Sequence, residues 1–218
     1  MDYLIKTLLV LFIPFGLLAD VILVTGASRG IGEAIVKLLS EEGHTVYAGM
    51  RTLPINSQNL PNFHPVLLDV TDEKSIENAF RTVIENEGKM DVLINNAGIM
   101  FYGSVENVTI EEAQKLFDVN FFGVVRTCQA VLPIMREQKK GRIIQISSRS
   151  GFRPLPSISL YAASKFALEG LSETMAAQLT PWNIKVTLIE PGPVNTDLDI
   201  LSPYGSRLSK AHDPFFPI

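Results

Sequence analysis

The sequence predicts an α/β fold, a single domain built on a doubly wound parallel sheet, and three observations predict it. From Val21 onward, short β-branched runs alternate with longer stretches of helical spacing, as expected of parallel strands joined by crossover helices. The short runs are nearly all apolar, as strands covered on both faces should be. A glycine-rich turn follows the first run and opens into a helix. With 218 residues, 46% of them apolar, the chain can bury roughly 70% of the surface its unfolded state exposes. That composition excludes intrinsic disorder and removes any need for disulfides or a structural metal.

Six strands are expected, at Val21 to Thr25, Thr45 to Met50, Val66 to Leu68, Val92 to Asn95, Arg142 to Ser147 and Lys185 to Ile189. After the first, Ile31, Ile35, Leu38 and Leu39 fall on one helical face, and Gly43 supplies a C-terminal stop. Ile76, Phe80, Val83 and Ile84 repeat the spacing ahead of Gly88. Thr109 with Glu112 forms a capping box, which predicts one long helix running toward Arg136. Leu160 to Leu179 reads as a further helix, stopped before Pro181.

Residues 1–19 stand apart as an apolar N-terminal extension, with 20–218 as the folded domain. The run from Thr7 to Ala19 behind Lys6 has the outline of a signal peptide, but Leu17 sits where a cleavage site wants a small residue. It is shorter than the ~20 apolar residues that span a bilayer. A signal, a membrane-surface anchor acting through residues 4–19, and an extension without function are three readings that stay open. A need for a cytosolic cofactor favours a cytoplasmic location, with or without membrane association.

The net charge of −4 and the lack of any Lys/Arg-rich run argue against a nucleic-acid partner. Three scattered histidines and a single cysteine do not make a metal ligand set, so no metal is expected. Cys128 reads as an inert core residue.

The turn Thr25-Gly26-Ala27-Ser28-Arg29-Gly30-Ile31-Gly32 has the strand, glycine and helix context that cradles a pyrophosphate. Glycines let the backbone approach the phosphates, and the helix N-terminus offers unpaired N–H groups. At the end of the second strand, Ala48-Gly49-Met50-Arg51 supplies no carboxylate for a ribose 2′-hydroxyl. Arg51 and Arg29 instead offer guanidinium donors for a 2′-phosphate, which predicts NADP(H) as the cofactor.

Tyr161 and Lys165 stand at i and i+4 on one helix, thirteen residues and more beyond Ser148 at the end of the fifth strand. An ammonium beside a phenol favours the phenolate, which makes Tyr161 a candidate general acid or base. Ser148 could hold a substrate oxygen against that phenol. Asn95-Asn96-Ala97-Gly98 ends the fourth strand, and Asn120 lies among Phe117, Val119, Phe121 and Phe122. A buried amide there must be hydrogen-bonded, and it could hold a water that links Lys165 to solvent. Pro191-Gly192-Pro193-Val194-Asn195-Thr196 is an irregular turn beyond the sixth strand, suited to place backbone groups near a carboxamide.

From Val21 to about Leu198 the chain resembles the short-chain dehydrogenase/reductase family, whose single domain is Rossmann-like. The resemblance rests on the glycine turn, Asp69-Val70, Asn95-Asn96-Ala97-Gly98 and the set Asn120, Ser148, Tyr161 and Lys165 in that order. It implies that Tyr161 exchanges a proton, Ser148 orients substrate, Lys165 binds the nicotinamide ribose and tunes Tyr161, and Asn120 supports a relay. It also implies cofactor contacts from Gly26, Ser28, Arg29, Gly30, Ile31 and Gly32 in the turn, and from Arg51, Asp69 and Val70 at the adenosine end. Asn96, Ala97 and Gly98 would join them, with Pro191, Gly192, Val194 and Thr196 at the nicotinamide end. The stretch from Leu160 to Thr196 looks most like the hydroxysteroid and retinol dehydrogenase branch, which implies a hydrophobic alcohol or ketone. Phe152, Pro154, Leu155, Pro193 and Leu198 would then line an apolar wall beside Ser148.

Only 26 residues follow Gly192, and none reads as a final strand. In the family, further helices and a seventh strand usually come there, so the C-terminal strand is expected to be missing and a family-type homo-oligomer is in doubt. The sequence therefore predicts an NADP(H)-dependent oxidoreductase acting on CH–OH groups. The alternative is a catalytically silent cofactor-binding protein or truncated remnant.

Overall fold

A computed structural model describes residues 19–54, 60–194, 196 and 198. The apolar segment at 1–18 and the residues after Leu198 lie outside that description, and with them the expectations of an anchor and of a missing strand. Among the described residues, no helix is long and apolar enough to cross a membrane.

Six parallel strands form one sheet: β1 (Val21–Thr25), β2 (Thr45–Met50), β3 (Phe63–Leu67), β4 (Val92–Asn95), β5 (Gly141–Ile146) and β6 (Ile184–Ile189). Their order is β3-β2-β1-β4-β5-β6. The chain winds outward from β1 in one direction, then returns to β4 and winds in the other. The order therefore reverses between β1 and β4, and a crevice opens beyond their C-terminal ends, where α/β folds bind ligands.

The alternation along β1 explains why helices cover both faces. Val21 and Leu23 enter one core with Ile76, Phe80, Val83, Val131 and Leu168. Ile22 and Val24 enter the opposite core with Ile35 and Leu39. Helix α1 (Gly30–Glu41) covers the second face. The first is covered by α2 (Glu73–Glu87), α4 (Gly123–Gln138) and α5 (Ser159–Leu179). The short helix α3 (Ile110–Phe117) leads into α4.

Two elements differ from expectation. β3 runs from Phe63 to Leu67, not from Val66 to Leu68, because Pro65 hides its start. This is an edge strand pairing only with β2, where the missing proline N–H is tolerated. The long helix opened by Thr109 is also not continuous. Its capping box is present, but after Phe117 the chain makes a π-helical turn over Asp118–Phe122 before α4 begins. A π turn retains the helical direction and so leaves the apolar spacing almost unbroken, while moving one side chain inward. That side chain is Asn120, 1% exposed.

Candidate active site

The glycine turn is shaped by contacts across the switch point. Gly26 has φ of +65°, and a Cβ there would come within 2.7 Å of the Ala97 Cα. Only glycine satisfies both the conformation and the approach. Asn96 fastens this arrangement: its Nδ2 donates to the carbonyls of Thr25 and Gly26, each at 3.0 Å. The Thr25 hydroxyl oxygen accepts in turn from the backbone N–H groups of Asn96 and Ala97. Gly32 packs beneath the turn and not toward the crevice, since a Cβ would meet the Gly26 carbonyl oxygen at 2.3 Å. Gly32 is thus a packing requirement, while Asn96 holds the turn with the amide expected to touch cofactor.

Arg29 occupies the N-cap of α1 and makes no side-chain cap. The first-turn N–H groups therefore face the crevice without a capping oxygen, the condition a phosphate satisfies. The crevice has a volume of about 570 Å³, within the range of small-molecule and cofactor sites. Gly26, Ser28, Arg29, Gly30 and Ile31 line one part, and Arg51, Asp69 and Val70 line the adenosine side. Asp69 is partly engaged already, with Oδ1 accepting from both the N–H and the hydroxyl of Thr71. Both arginines that could meet a 2′-phosphate are exposed at the rim.

At the other end of the crevice stand Ser148, Tyr161 and Lys165, together with Ala97, Gly98, Pro191, Gly192, Val194 and Thr196. Lys165 is 5% exposed, and its Nζ donates to the Ile146 carbonyl at 2.9 Å. The same Nζ lies 5.8 Å from the centre of the Tyr161 ring. Burial lowers the Lys165 ammonium to about 8, partly opposed by the carboxylate of Glu169 one turn along the helix. Ser148 caps the short 3-10 turn Arg149–Gly151, its Oγ accepting from the Ser150 N–H at 3.1 Å.

Asn120 does not line the crevice. Its Oδ1 accepts from the Ile99 N–H at 2.9 Å, and its Nδ2 donates to the Ile99 carbonyl at 2.9 Å and to Ser164 Oγ at 3.2 Å. Both amide N–H donors are spent on protein, so the side chain is a brace between the π turn, the loop after β4 and α5.

The sequence matches the family model of the short chain dehydrogenases over residues 20–202. The chain belongs to that family. It is 46% identical over 177 residues to a 3-ketodihydrosphingosine reductase of Bacteroides thetaiotaomicron, covering 81% of this chain and 65% of that protein. It is 39% identical over 189 residues to human retinol dehydrogenase 8, covering 82% and 60%. The chain thus spans less than two thirds of the length of these curated relatives. Among solved structures, ElxO with NADP bound superposes with a TM-score of 0.78 at 26% identity, covering 83% of this chain and 76% of that one. A 3-ketoacyl-(acyl-carrier-protein) reductase from Brucella melitensis complexed with NADH gives 0.79 at 26% identity, covering 86% and 80%.

In this short-chain dehydrogenase, the residues expected to form an apolar wall divide between the crevice and the surface. Leu155, Pro193 and Leu198 line the crevice near Ser148. Phe152 and Pro154 do not, and Phe152 is 56% exposed. The 3-10 turn after Ser148 rotates the chain so that Phe152 follows it outward. The sequence reading missed Ile99, Met100, Tyr102 and Ile158, which complete the wall. For Ile99, Met100 and Tyr102 the position just after Gly98, at the carboxyl end of β4, was the available signal, whereas nothing local marked Ile158. A bridge from Gly103 to Ile158 then brings the second loop alongside the first.

Proposed function

We propose that this chain is an NADP(H)-dependent oxidoreductase that interconverts a hydrophobic ketone and its secondary alcohol, with Tyr161 as general acid and base. The observation that carries the reading is the convergence of Ser148, Tyr161 and Lys165 on one crevice with the glycine turn at its other end. The fit to a dinucleotide is supported by the uncapped N-terminus of α1 and by the close approach that only glycine allows at position 26. A nicotinamide cofactor, when bound, supplies the hydride donor or acceptor.

Each residue then has a distinct task. Ser148 Oγ donates to the substrate oxygen and fixes it beside the phenol. In the reductive direction the Tyr161 hydroxyl gives its proton to that oxygen as the carbon becomes an alcohol carbon, and the phenolate left behind is reprotonated from solvent. The Lys165 ammonium, buried and close to the ring, favours the phenolate and lowers the cost of that transfer. Ile99, Met100, Leu155 and Ile158 give the substrate end an apolar wall. The similarity to a retinol dehydrogenase and to a 3-ketodihydrosphingosine reductase supports a hydrophobic alcohol or ketone as substrate.

NADP(H) is preferred to NAD(H) because the rim of the adenosine side carries Arg29 and Arg51. Fluorescence titration with NADPH and NADH, on wild type and Arg51→Ala, tests the cofactor, and turnover of an apolar ketone with NADPH tests the chemistry. NADPH should bind more tightly, and Arg51→Ala should reduce the gap by about 1.5 to 3 kcal/mol, the worth of a charge-assisted hydrogen bond. Equal affinity for the two cofactors in wild type would overturn the NADP assignment. Tight binding without turnover would leave a silent cofactor-binding protein.

A further inference from the structure

Behind the proton-transfer residues lies a carboxyl group that none of the preceding chemistry uses. Glu169 is one helical turn beyond Lys165 and two beyond Tyr161 on α5. It accepts a hydrogen bond from Ser147 Oγ, on the residue next to Ser148. Its carboxyl also packs against Gly151, at the end of the 3-10 turn that Ser148 caps, where a Cβ would come within 2.7 Å of Oε1. Glu190, immediately beyond β6, lies close enough for its charge to raise the Glu169 carboxyl.

One half-buried side chain thus reaches the ends of β5 and β6 and the turn bearing Ser148, all from the helix that carries Tyr161 and Lys165. The backbone reinforces the same junction, with the Ser147 N–H donating to the Ile189 carbonyl at 2.8 Å and the Arg149 N–H to the Pro191 carbonyl at 3.0 Å. We propose that Glu169 is a positioning residue for the proton-transfer group, clamping the Ser147–Gly151 segment and the start of the Pro191–Val194 turn to α5 so that Ser148 and Lys165 keep their places relative to Tyr161. The proposal rests on the oxidoreductase reading for its kinetic consequence, though the clamp itself does not.

The groups facing Glu169 are Lys165 and Glu173 on its own helix, Ser147 just beyond β5 and Glu190 just beyond β6. Desolvation by burial raises the Glu169 carboxyl, Ser147 opposes that, and Glu190 and Glu173 add to it. Its charge in turn supports the Lys165 ammonium. Removal of that charge lets Lys165 lose its proton at lower pH.

The test compares wild type, Glu169→Ala and Glu169→Gln in the full chain. With an apolar ketone and NADPH, Glu169→Ala should lower kcat roughly 10- to 100-fold, the cost of a small misplacement of reacting groups, with NADPH affinity within about twofold of wild type. Its alkaline limb of kcat should move to lower pH. Glu169→Gln can still accept from Ser147 through its amide oxygen and fill the same space against Gly151, so it should recover most of the lost kcat while keeping the shifted limb. A Glu169→Ala enzyme with unchanged kcat and pH profile overturns the proposal, as does one whose kcat, cofactor affinity and melting temperature fall together. Hydrogen exchange decides the clamp independently of turnover. Amides of 147–151 should exchange faster in Glu169→Ala while β1 and β4 do not change, and equal rates in that segment overturn it. A wild type without turnover would defeat the oxidoreductase reading and leave the exchange result to stand alone.

Discussion

Lys165 Nζ donates to the Ile146 carbonyl at 2.9 Å while lying 5.8 Å from the Tyr161 ring centre, so the last residue of β5 fixes the ammonium beside the phenol. The strand thereby sets the geometry of a helix side chain. A lysine stem so enclosed has few rotamers left, and its charge is available where it is needed at the expense of desolvation. Function and stability consequently pull in opposite directions at this position.

Lys165→Met should make that conflict measurable. The wild-type ammonium is lowered to about 8 from 10.5 by burial, equivalent to roughly 3 kcal/mol of penalty at neutral pH. Methionine keeps the stem and removes the charge, but leaves the Ile146 carbonyl without its donor at a cost of about 1 to 2 kcal/mol. Urea unfolding at pH 7 should therefore show the variant about 1 to 2 kcal/mol more stable. Turnover should be lost in the same protein. A destabilised variant would mean that the ammonium is better solvated or paired than its surroundings indicate.

The dependence of stability on pH follows from two buried groups of opposite sign. Lys165 has a lowered folded value, so between about 8 and 10.5 the unfolded chain holds the extra proton and stability rises with pH. Cys128 is raised by burial from 9.0 to about 12, so its contribution is present below 9 and is lost as pH rises. Each slope is about 1.4 kcal/mol per pH unit at its steepest. Stability should rise between pH 8 and 9, level off to about 10.5 as the two cancel, and fall beyond. Tyr47, raised chiefly by burial, deepens the final fall. In Cys128→Val the rise should continue toward pH 10.5, which urea midpoints across this range would reveal. A wild-type curve that falls from pH 8 would contradict the Lys165 assignment.

What could be read from the sequence were features written in local spacing. The glycine turn, the Tyr161 and Lys165 pair and the Thr109 cap are each fixed within a few residues, and the structure places them as expected. Features fixed by partners distant in the chain were not legible. Pro65 gives β3 no apolar alternation, and only pairing with β2 makes it a strand. The π turn around Asn120 leaves the helical pattern intact, so nothing local marks the extra residue. Phe152 reads as apolar beside Ser148 yet points away, because the 3-10 turn between them changes the direction of the chain. Glu169 reads as an ordinary helix-surface acid until β5 and β6 are brought beside it.

Asn120 offers a way to separate bracing from chemistry. Its amide ties the π turn to Ile99 and to Ser164, and Ser164 Oγ donates onward to the Tyr161 carbonyl at 2.7 Å. Asn120→Leu fills nearly the same volume but leaves the Ile99 N–H and carbonyl buried without partners. It should cost about 2 to 4 kcal/mol in urea unfolding, the sum of two orphaned backbone groups. Ser164→Ala removes the hydroxyl that accepts from Asn120 and donates to Tyr161, leaves the Ile99 bonds intact, and should cost about 1 to 2 kcal/mol. If bracing is what Asn120 supplies, both variants should lower kcat in proportion to the disturbance of Tyr161 while NADPH affinity changes little, since the glycine turn is fastened separately by Asn96. A large loss of kcat in Asn120→Leu with stability intact would instead assign Asn120 a direct part in proton transfer.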